Sequence, residues 1–269
     1  MNGFDEIAEK AGDAQWDKWK DKILGAHSEV AFFVACRLDR DDGEVIDWFE
    51  GSFNFCLRVM FNDAGADAVI RFPGPGHTTF RDEKVTNEVQ IIKFLHEHTR
   101  ISLPFIISEF IKGVHLCDIL KDPAVPAKIY LNPNIDSTIL DAVFEQITNI
   151  LLQLFQFDFS RIRAVSKDPS LDTWSVTRRP LTYSMNELAT TAFYPLDELA
   201  TGPFESASGY FTHLSDENLT HLFTQRNLSS TATEAEEQYV ARHLFARLVD
   251  KHCIHDNGTF KLFCDDLRP

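Results

Sequence analysis

The spacing of apolar residues changes along this chain, and this change restricts the possible folds more than any other feature. Residues 45–49, 53–61 and 66–72 form short apolar runs that are typical of β-strands. The Asn-Asp-Ala-Gly stretch at 62–65 separates the last two runs and predicts a hairpin turn. From residue 140 onward, apolar residues recur every three or four positions instead. The sequence therefore predicts an α+β fold with strands in its first half and mainly helices in its second.

Further elements are predicted from the same periodicity. The strongest helical stripe covers residues 140–154. A helix over 4–25 contains Gly12, which weakens its middle. Thr233 and Glu236 have the spacing of a capping box. The remaining expected elements are helices at 83–98, 185–199, 204–223 and 234–252 and apolar strands at 106–111 and 260–263.

Composition restricts the partners and the compartment. The 269 residues include 26 Lys and Arg against 41 Asp and Glu, which is a formal net charge of −15. Extended surfaces for nucleic acid or anionic lipid need many basic residues, so neither a nucleic acid nor a membrane is expected as a partner. The acidic N-terminus, the short apolar runs and the scattered cysteines predict a cytoplasmic protein with reduced thiols. No metal site is predicted, because His252, Cys253, His255 and Cys264 match no common zinc spacing.

An ordered series of residues follows the predicted elements. It consists of Gly51 and Ser52 after the first strand, Arg71 near the end of the third, Glu88 in the 83–98 helix, Glu109 and Ile111 at the end of the next strand, and Asp266 after the last. Taken singly, each residue has an ordinary alternative. Gly51 could be a hairpin glycine, Glu88 a solvated helix charge and Asp266 part of an acidic tail.

With their flanking segments, these residues resemble the aminoglycoside phosphotransferase-like branch of the protein-kinase-like fold, in particular its large fungal set. The segments that carry the resemblance are GSFN at 51–54, VIRFPGPG at 69–76, DEKVTNEV at 82–89, WSVTRRPL at 174–181, ARHLF at 241–245 and FKLFCDDLRP at 260–269. The resemblance implies a two-lobed fold, with an antiparallel-sheet N-lobe containing one helix and a mostly helical, incomplete C-lobe. It also implies ATP-dependent phosphoryl transfer to a hydroxyl group of a small molecule, with ATP and Mg²⁺ bound.

The resemblance assigns roles to the first four residues of the series. Gly51 and Ser52 would lie at the turn that covers the nucleotide phosphates, where glycine permits close backbone approach. Arg71 would take the position of the usual phosphate-pairing lysine, and a guanidinium can hold phosphate in a bidentate manner. Glu88 would pair with Arg71 and hold it in place.

The resemblance assigns the remaining roles to residues further along the chain. Glu109 and Ile111 would bind the nucleotide at the hinge between the lobes. Asp266 would be the catalytic-loop residue that orients the substrate hydroxyl or accepts its proton. Cys264 stands where that loop usually has a histidine.

Two departures from the family pattern bear on activity. The sequence ends at Pro269, before the magnesium-binding Asn and the second metal-binding Asp of the family. Only residues 101–108 separate the predicted helix from Glu109, where the family has a two-strand hairpin that needs about twelve residues. We therefore expect an internal deletion and an inactive chain. The alternative to a phosphotransferase is a non-catalytic, pseudokinase-like remnant or gene fragment.

The predicted organisation has three parts. A helical N-terminal extension covers 1–44, an N-lobe covers 45–112 and a helical C-lobe covers 113–269. Arg71 and Glu88 are expected within salt-bridge distance where the 83–98 helix packs on the sheet. The apolar stripe of the 140–154 helix is expected to be partly exposed and to support self-association.

Overall fold

The computed structural model describes residues 5–101, 106–125, 128, 130–225, 227–252 and 258–262, and it confirms the α+β class. Its helices are α1 (Glu6–Gly25), α2 (His27–Leu38), α3 (Arg81–His98), α4 (Leu116–Leu120), α5 (Ser137–Phe155), α6 (Tyr183–Thr191), α7 (Ala207–Thr224) and α8 (Ala232–Lys251). Its strands are β1 (Gly43–Glu50), β2 (Asn54–Phe61), β3 (Ala68–Pro73), β4 (Ile107–Glu109), β5 (Asp158–Phe159), β6 (Ala164–Asp168), β7 (Thr173–Arg178) and β8 (Phe260–Lys261).

An antiparallel sheet in the order β1-β2-β3-β4 organises the first half of the chain. β2 pairs with both β1 and β3, and Leu57 lies opposite Ile70. The turns predicted near Gly51 and Gly65 join β1 to β2 and β2 to β3. The predicted antiparallel unit over residues 45–72 is therefore confirmed, and β4 adds a fourth strand beside β3.

The apolar face of this sheet is covered by α1 and α2. Phe55, Leu57 and Val59 alternate along β2 on that face and are fully buried against Trp16 of α1 and Val34 of α2. The N-terminal helical segment therefore supplies one layer of the sheet's core.

The apolar side of α3 packs away from the sheet, which corrects the expectation that the 83–98 helix packs on the sheet. Phe94 and Leu95 of α3 are buried against Leu154 of α5 and Val165 of β6. The contact of α3 with the sheet is polar and lies on the face opposite α1 and α2, where Arg71 meets Glu88.

Glycine at position 12 is explained by packing rather than by helix stability: a Cβ there would lie 2.8 Å from the Gly76 carbonyl oxygen.

A β-hairpin interrupts the second half, which was predicted to be mainly helical. β6 and β7 pair antiparallel, with Val165 opposite Val176. The Asp168 carboxylate accepts a hydrogen bond from the Ser170 backbone N–H in the connecting turn, at 2.7 Å. Asp172 adopts the left-handed conformation there with φ of 52°. Alternation of polar and apolar residues over 173–178 is the signal that separates this strand from the helices around it.

Three other boundaries in the second half differ from the predictions. α6 ends at Thr191 rather than 199, because Pro195 precedes a separate 3₁₀ turn at Leu196–Glu198. α8 is capped by Thr231 rather than by a capping box of Thr233 and Glu236: the Thr231 hydroxyl accepts from the Glu234 N–H, and the Glu234 carboxylate accepts from the Ser230 N–H. The predicted last strand is seen as β8, which pairs with β5, while Phe263 lies outside the described residues.

The predicted exposure of the 140–154 stripe is confirmed on α5. Leu154 is the buried residue of this helix, and it belongs to the cluster around α3. Phe144, Leu151 and Phe155 share another face of α5 and are exposed, Phe144 with 62% of its surface accessible. In the described ranges, none of the helices combines the length and apolarity needed to cross a bilayer.

Candidate functional site

The ion pair between Arg71 and Glu88 joins the sheet to α3. Arg71 lies near the end of β3, opposite Cys56 of β2, on the face away from α1 and α2. Its Nη2 donates to Glu88 Oε2 at 2.6 Å, and both side chains are partly buried. The predicted proximity of these two residues is therefore confirmed. Their role toward a nucleotide stays a prediction.

Lys84 adds a second cation to this pair and was not identified from the sequence. Its Nζ lies 3.6 Å from Glu88 Oε1 and 5.5 Å from the centroid of the Phe53 ring. Burial lowers the pKa of Lys84, while the Glu88 carboxylate opposes that change. Two cations thus share one carboxylate and leave a local excess of one positive charge. The i, i+4 spacing of Lys84 and Glu88 was the available signal.

The turn that carries Gly51 and Ser52 is closed by the protein's own hydrogen bonds. The Gly51 N–H donates to the Asn54 carbonyl oxygen at 2.9 Å. The Ser52 carbonyl oxygen lies 3.0 Å from Nδ1 of His77. A Cβ on Gly51 would meet nothing closer than the Asn54 carbonyl oxygen, at 3.7 Å. The protein's own packing therefore does not require glycine at position 51, and the space beside it is open.

Glu109 and Ile111 lie apart from the ion pair. Glu109 is the last residue of β4 and lies opposite Ala68 of β3. Ala68 precedes Arg71 by three residues, which corresponds to about 10 Å along β3. The Glu109 side chain is exposed, and Ile111 has 80% of its surface accessible. The structure therefore places these two residues at the end of β4 without bringing their side chains to Arg71.

Asp266, with Cys264 before it, lies outside the described residues, so the structure does not describe the predicted catalytic loop. Across the described part of the chain, no group of three or more His, Cys, Asp or Glu side chains is arranged to hold a metal ion.

A cleft lies along the face of α3 that carries Lys84 and Glu88, and it shares these two residues with the site above. It has a volume of about 610 Å³ and is also lined by Asn87 and Arg163. Neither of these two residues was identified from the sequence as functional. Asn87 falls within the DEKVTNEV segment, but nothing in its spacing predicts a ligand contact.

Comparisons of the chain with protein-family models, with curated proteins and with solved structures find no match.

Proposed function

We propose that this chain binds the phosphates of ATP at Arg71 and Lys84, beside the Gly51–Ser52 turn, at a site that the resemblance assigns to phosphoryl transfer to a hydroxyl group of a small molecule. The proposal unites the resemblance of the sequence to the aminoglycoside phosphotransferase-like branch with one observation. That observation is the 2.6 Å ion pair between Arg71 at the end of β3 and Glu88 on α3.

The charge balance at the pair supports phosphate binding. Within the described residues the Arg71 guanidinium has one hydrogen-bond partner, Glu88, which it reaches through Nη2. A guanidinium carries five N–H donors in a planar fork, so donors remain for phosphate oxygens. Lys84 supplies the second cation, and partial burial strengthens its attraction for an anion.

The chemical step rests on the resemblance alone. Asp266 is proposed to orient the acceptor hydroxyl and to take its proton as the oxygen attacks the terminal phosphorus, while the bond from that phosphorus to the bridging oxygen breaks and ADP leaves. No step is assigned to a metal ion.

Calorimetric titration with ATP, with and without Mg²⁺, tests the binding part of this proposal. We expect Arg71→Gln to lower the affinity by about tenfold or more, since charge-assisted hydrogen bonds are worth roughly 1.5–3 kcal/mol. Arg58→Gln is the matched control, because Arg58 lies on the same sheet face and is paired with Asp67. An affinity unchanged by Arg71→Gln, or the absence of binding, would overturn the proposal.

A phosphate-transfer assay over a panel of hydroxylated small molecules tests the chemical part. Turnover that Asp266→Ala abolishes would support the phosphotransferase. ATP binding without turnover would instead favour the non-catalytic binding module.

A further inference from the structure

The cleft that Lys84, Asn87 and Glu88 of α3 line has the size and the walls of a small-molecule site. Its volume of about 610 Å³ lies within the usual range for organic ligands. Residues 159–165, 180–182 and 260–262 form its walls opposite α3. Ile91, Phe159 and Leu262 supply apolar surface in it.

Three polar atoms at this cleft are buried without a hydrogen-bond partner. They are Nδ2 and Oδ1 of Asn87 and Nε of Arg163, and in the described part of the chain one further atom shares this property, Oγ1 of Thr78. A buried polar group that lacks a partner has lost its hydrogen bonds to water without replacement, which destabilises the fold. Such groups gather where a ligand supplies the missing partners.

The cleft is also locally basic, although the chain as a whole is acidic. Its lining includes one carboxylate, that of Glu88, and four cationic side chains, those of Lys84, Arg161, Arg163 and Lys261. Glu205 pairs with Arg161 and Asp158 with Lys261, whereas Lys84 shares the Glu88 carboxylate with Arg71.

Arg163 is the cation left over. Within the described residues no carboxylate lies within salt-bridge distance of it. Burial lowers the pKa of Arg163 and the neighbouring charge of Arg161 adds to that effect, while the Glu205 carboxylate opposes it. A partly buried guanidinium without a carboxylate in direct contact attracts an anion.

We infer that this cleft binds a small organic acid. Its carboxylate pairs with Arg163, a neighbouring amide group meets the donor and the acceptor of Asn87, and an apolar body lies against Ile91, Phe159 and Leu262. The Arg163 guanidinium, which has no carboxylate partner within the described residues, can pair with one carboxylate, and the apolar walls favour an organic acid over inorganic phosphate. The inference does not depend on ATP binding at Arg71.

Titration with hippurate tests this inference, because hippurate combines a carboxylate, an amide and a phenyl ring. We expect hippurate to bind and its neutral amide, hippuramide, to bind at least about tenfold more weakly. Inorganic phosphate should bind more weakly than hippurate. These comparisons use the unaltered chain and do not depend on the folding of any variant.

Two substitutions, tested separately, locate the site. Arg163→Met and Asn87→Leu should each lower the hippurate affinity, by about tenfold or more for Arg163→Met. Each should leave the melting temperature of the ligand-free chain unchanged or higher, because an unsatisfied buried polar group is removed. Arg161→Gln is the matched control and should change the affinity by less than about threefold, since Arg161 is exposed and paired with Glu205.

The outcomes separate this inference from the proposed function. Arg71→Gln should leave hippurate binding intact, so loss of ATP binding and loss of hippurate binding have different signatures. No binding of hippurate up to about 10 mM, equal binding of hippuramide, or full affinity in both Arg163→Met and Asn87→Leu would overturn the inference.

Discussion

Arg71 of β3 and Glu88 of α3 form an ion pair, with Nη2 2.6 Å from Oε2, on the sheet face opposite α1 and α2. A second pair, Arg58 with Asp67, lies on the same face and is more buried, with 12% of the Asp67 side chain exposed. Arg58 also lies over the Phe110 ring, with its Cζ 3.9 Å from the ring centroid. The two pairs therefore differ in how much each contributes to holding the sheet together.

We predict that Arg58→Gln destabilises the chain more than Arg71→Gln does. Loss of Arg58 leaves the Asp67 carboxylate buried without its partner, at a cost of about 1–3 kcal/mol. Loss of Arg71 leaves Glu88 with Lys84 and should cost less than about 1 kcal/mol. Urea unfolding measures both costs, and the opposite order would give Arg71 a mainly structural role.

Gly51→Ala should leave stability nearly unchanged while weakening ATP binding. The added methyl group meets no protein atom closer than 3.7 Å, so a loss of affinity would report the approach of the ligand. Gly74→Ala is the contrasting case, because its Cβ would overlap the Trp16 ring and should destabilise the chain by about 1–3 kcal/mol. Thermal unfolding and ATP titration of both variants provide the comparison. Full ATP affinity in Gly51→Ala would show that the Gly51–Ser52 turn does not contact the bound ATP.

The elements that the sequence predicted correctly are those whose signal lies within a short segment of the chain. The alternation in β2 and the i, i+4 pattern of α5 are local, and both elements lie where they were predicted. The packing of α1 on the sheet depends on Trp16 meeting residues far along the chain, which no periodicity encodes. Arg71 and Glu88 could be paired in advance only through the family resemblance. Arg163 became a candidate only when folding buried it without a partner.

Glu217→Gln should stabilise the chain at neutral pH, by on the order of 1 kcal/mol. Burial raises the pKa of Glu217 above its usual 4.5, although His213 opposes that change. A carboxyl whose pKa rises on folding stabilises the fold below its unfolded pKa, and this contribution is lost as the pH rises through the folded value. The advantage of the variant should therefore appear above about pH 4.5 and disappear in more acidic solution.

Glu97→Gln should show the opposite pH dependence. Hydrogen bonds from Trp174 and Lys167 lower the pKa of Glu97. The ionised Glu97 side chain therefore stabilises the fold at pH values above the usual pKa of a glutamate, and this stabilisation is lost as the pH falls. This variant should be less stable than the natural chain at pH 7 and equal to it in strong acid. Denaturant unfolding of Glu217→Gln and Glu97→Gln across pH 3–8 measures how each substitution changes the free energy of unfolding with pH. The same direction of change with pH in both variants would contradict these two predictions.

The exposed face of α5 should make the chain self-associate. Phe144, Leu151 and Phe155 form an apolar surface that water contacts in the single chain. Leu151→Glu should shift the protein toward monomer and leave its melting temperature within a few degrees, because Leu151 is already exposed. Sedimentation velocity over a range of concentrations measures this, and a monomer at all concentrations before substitution would contradict the prediction.

The central claim, that Arg71 and Lys84 bind nucleotide phosphates, is tested most directly by the phosphorus NMR spectrum of ATP in the presence of the protein. The account predicts that the β- and γ-phosphorus resonances shift or broaden with the natural chain and Arg58→Gln, but return toward those of free ATP with Arg71→Gln and Lys84→Met. Resonances that stay at their free positions with the natural chain, or that remain shifted to the same extent with Arg71→Gln as with Arg58→Gln, would contradict it.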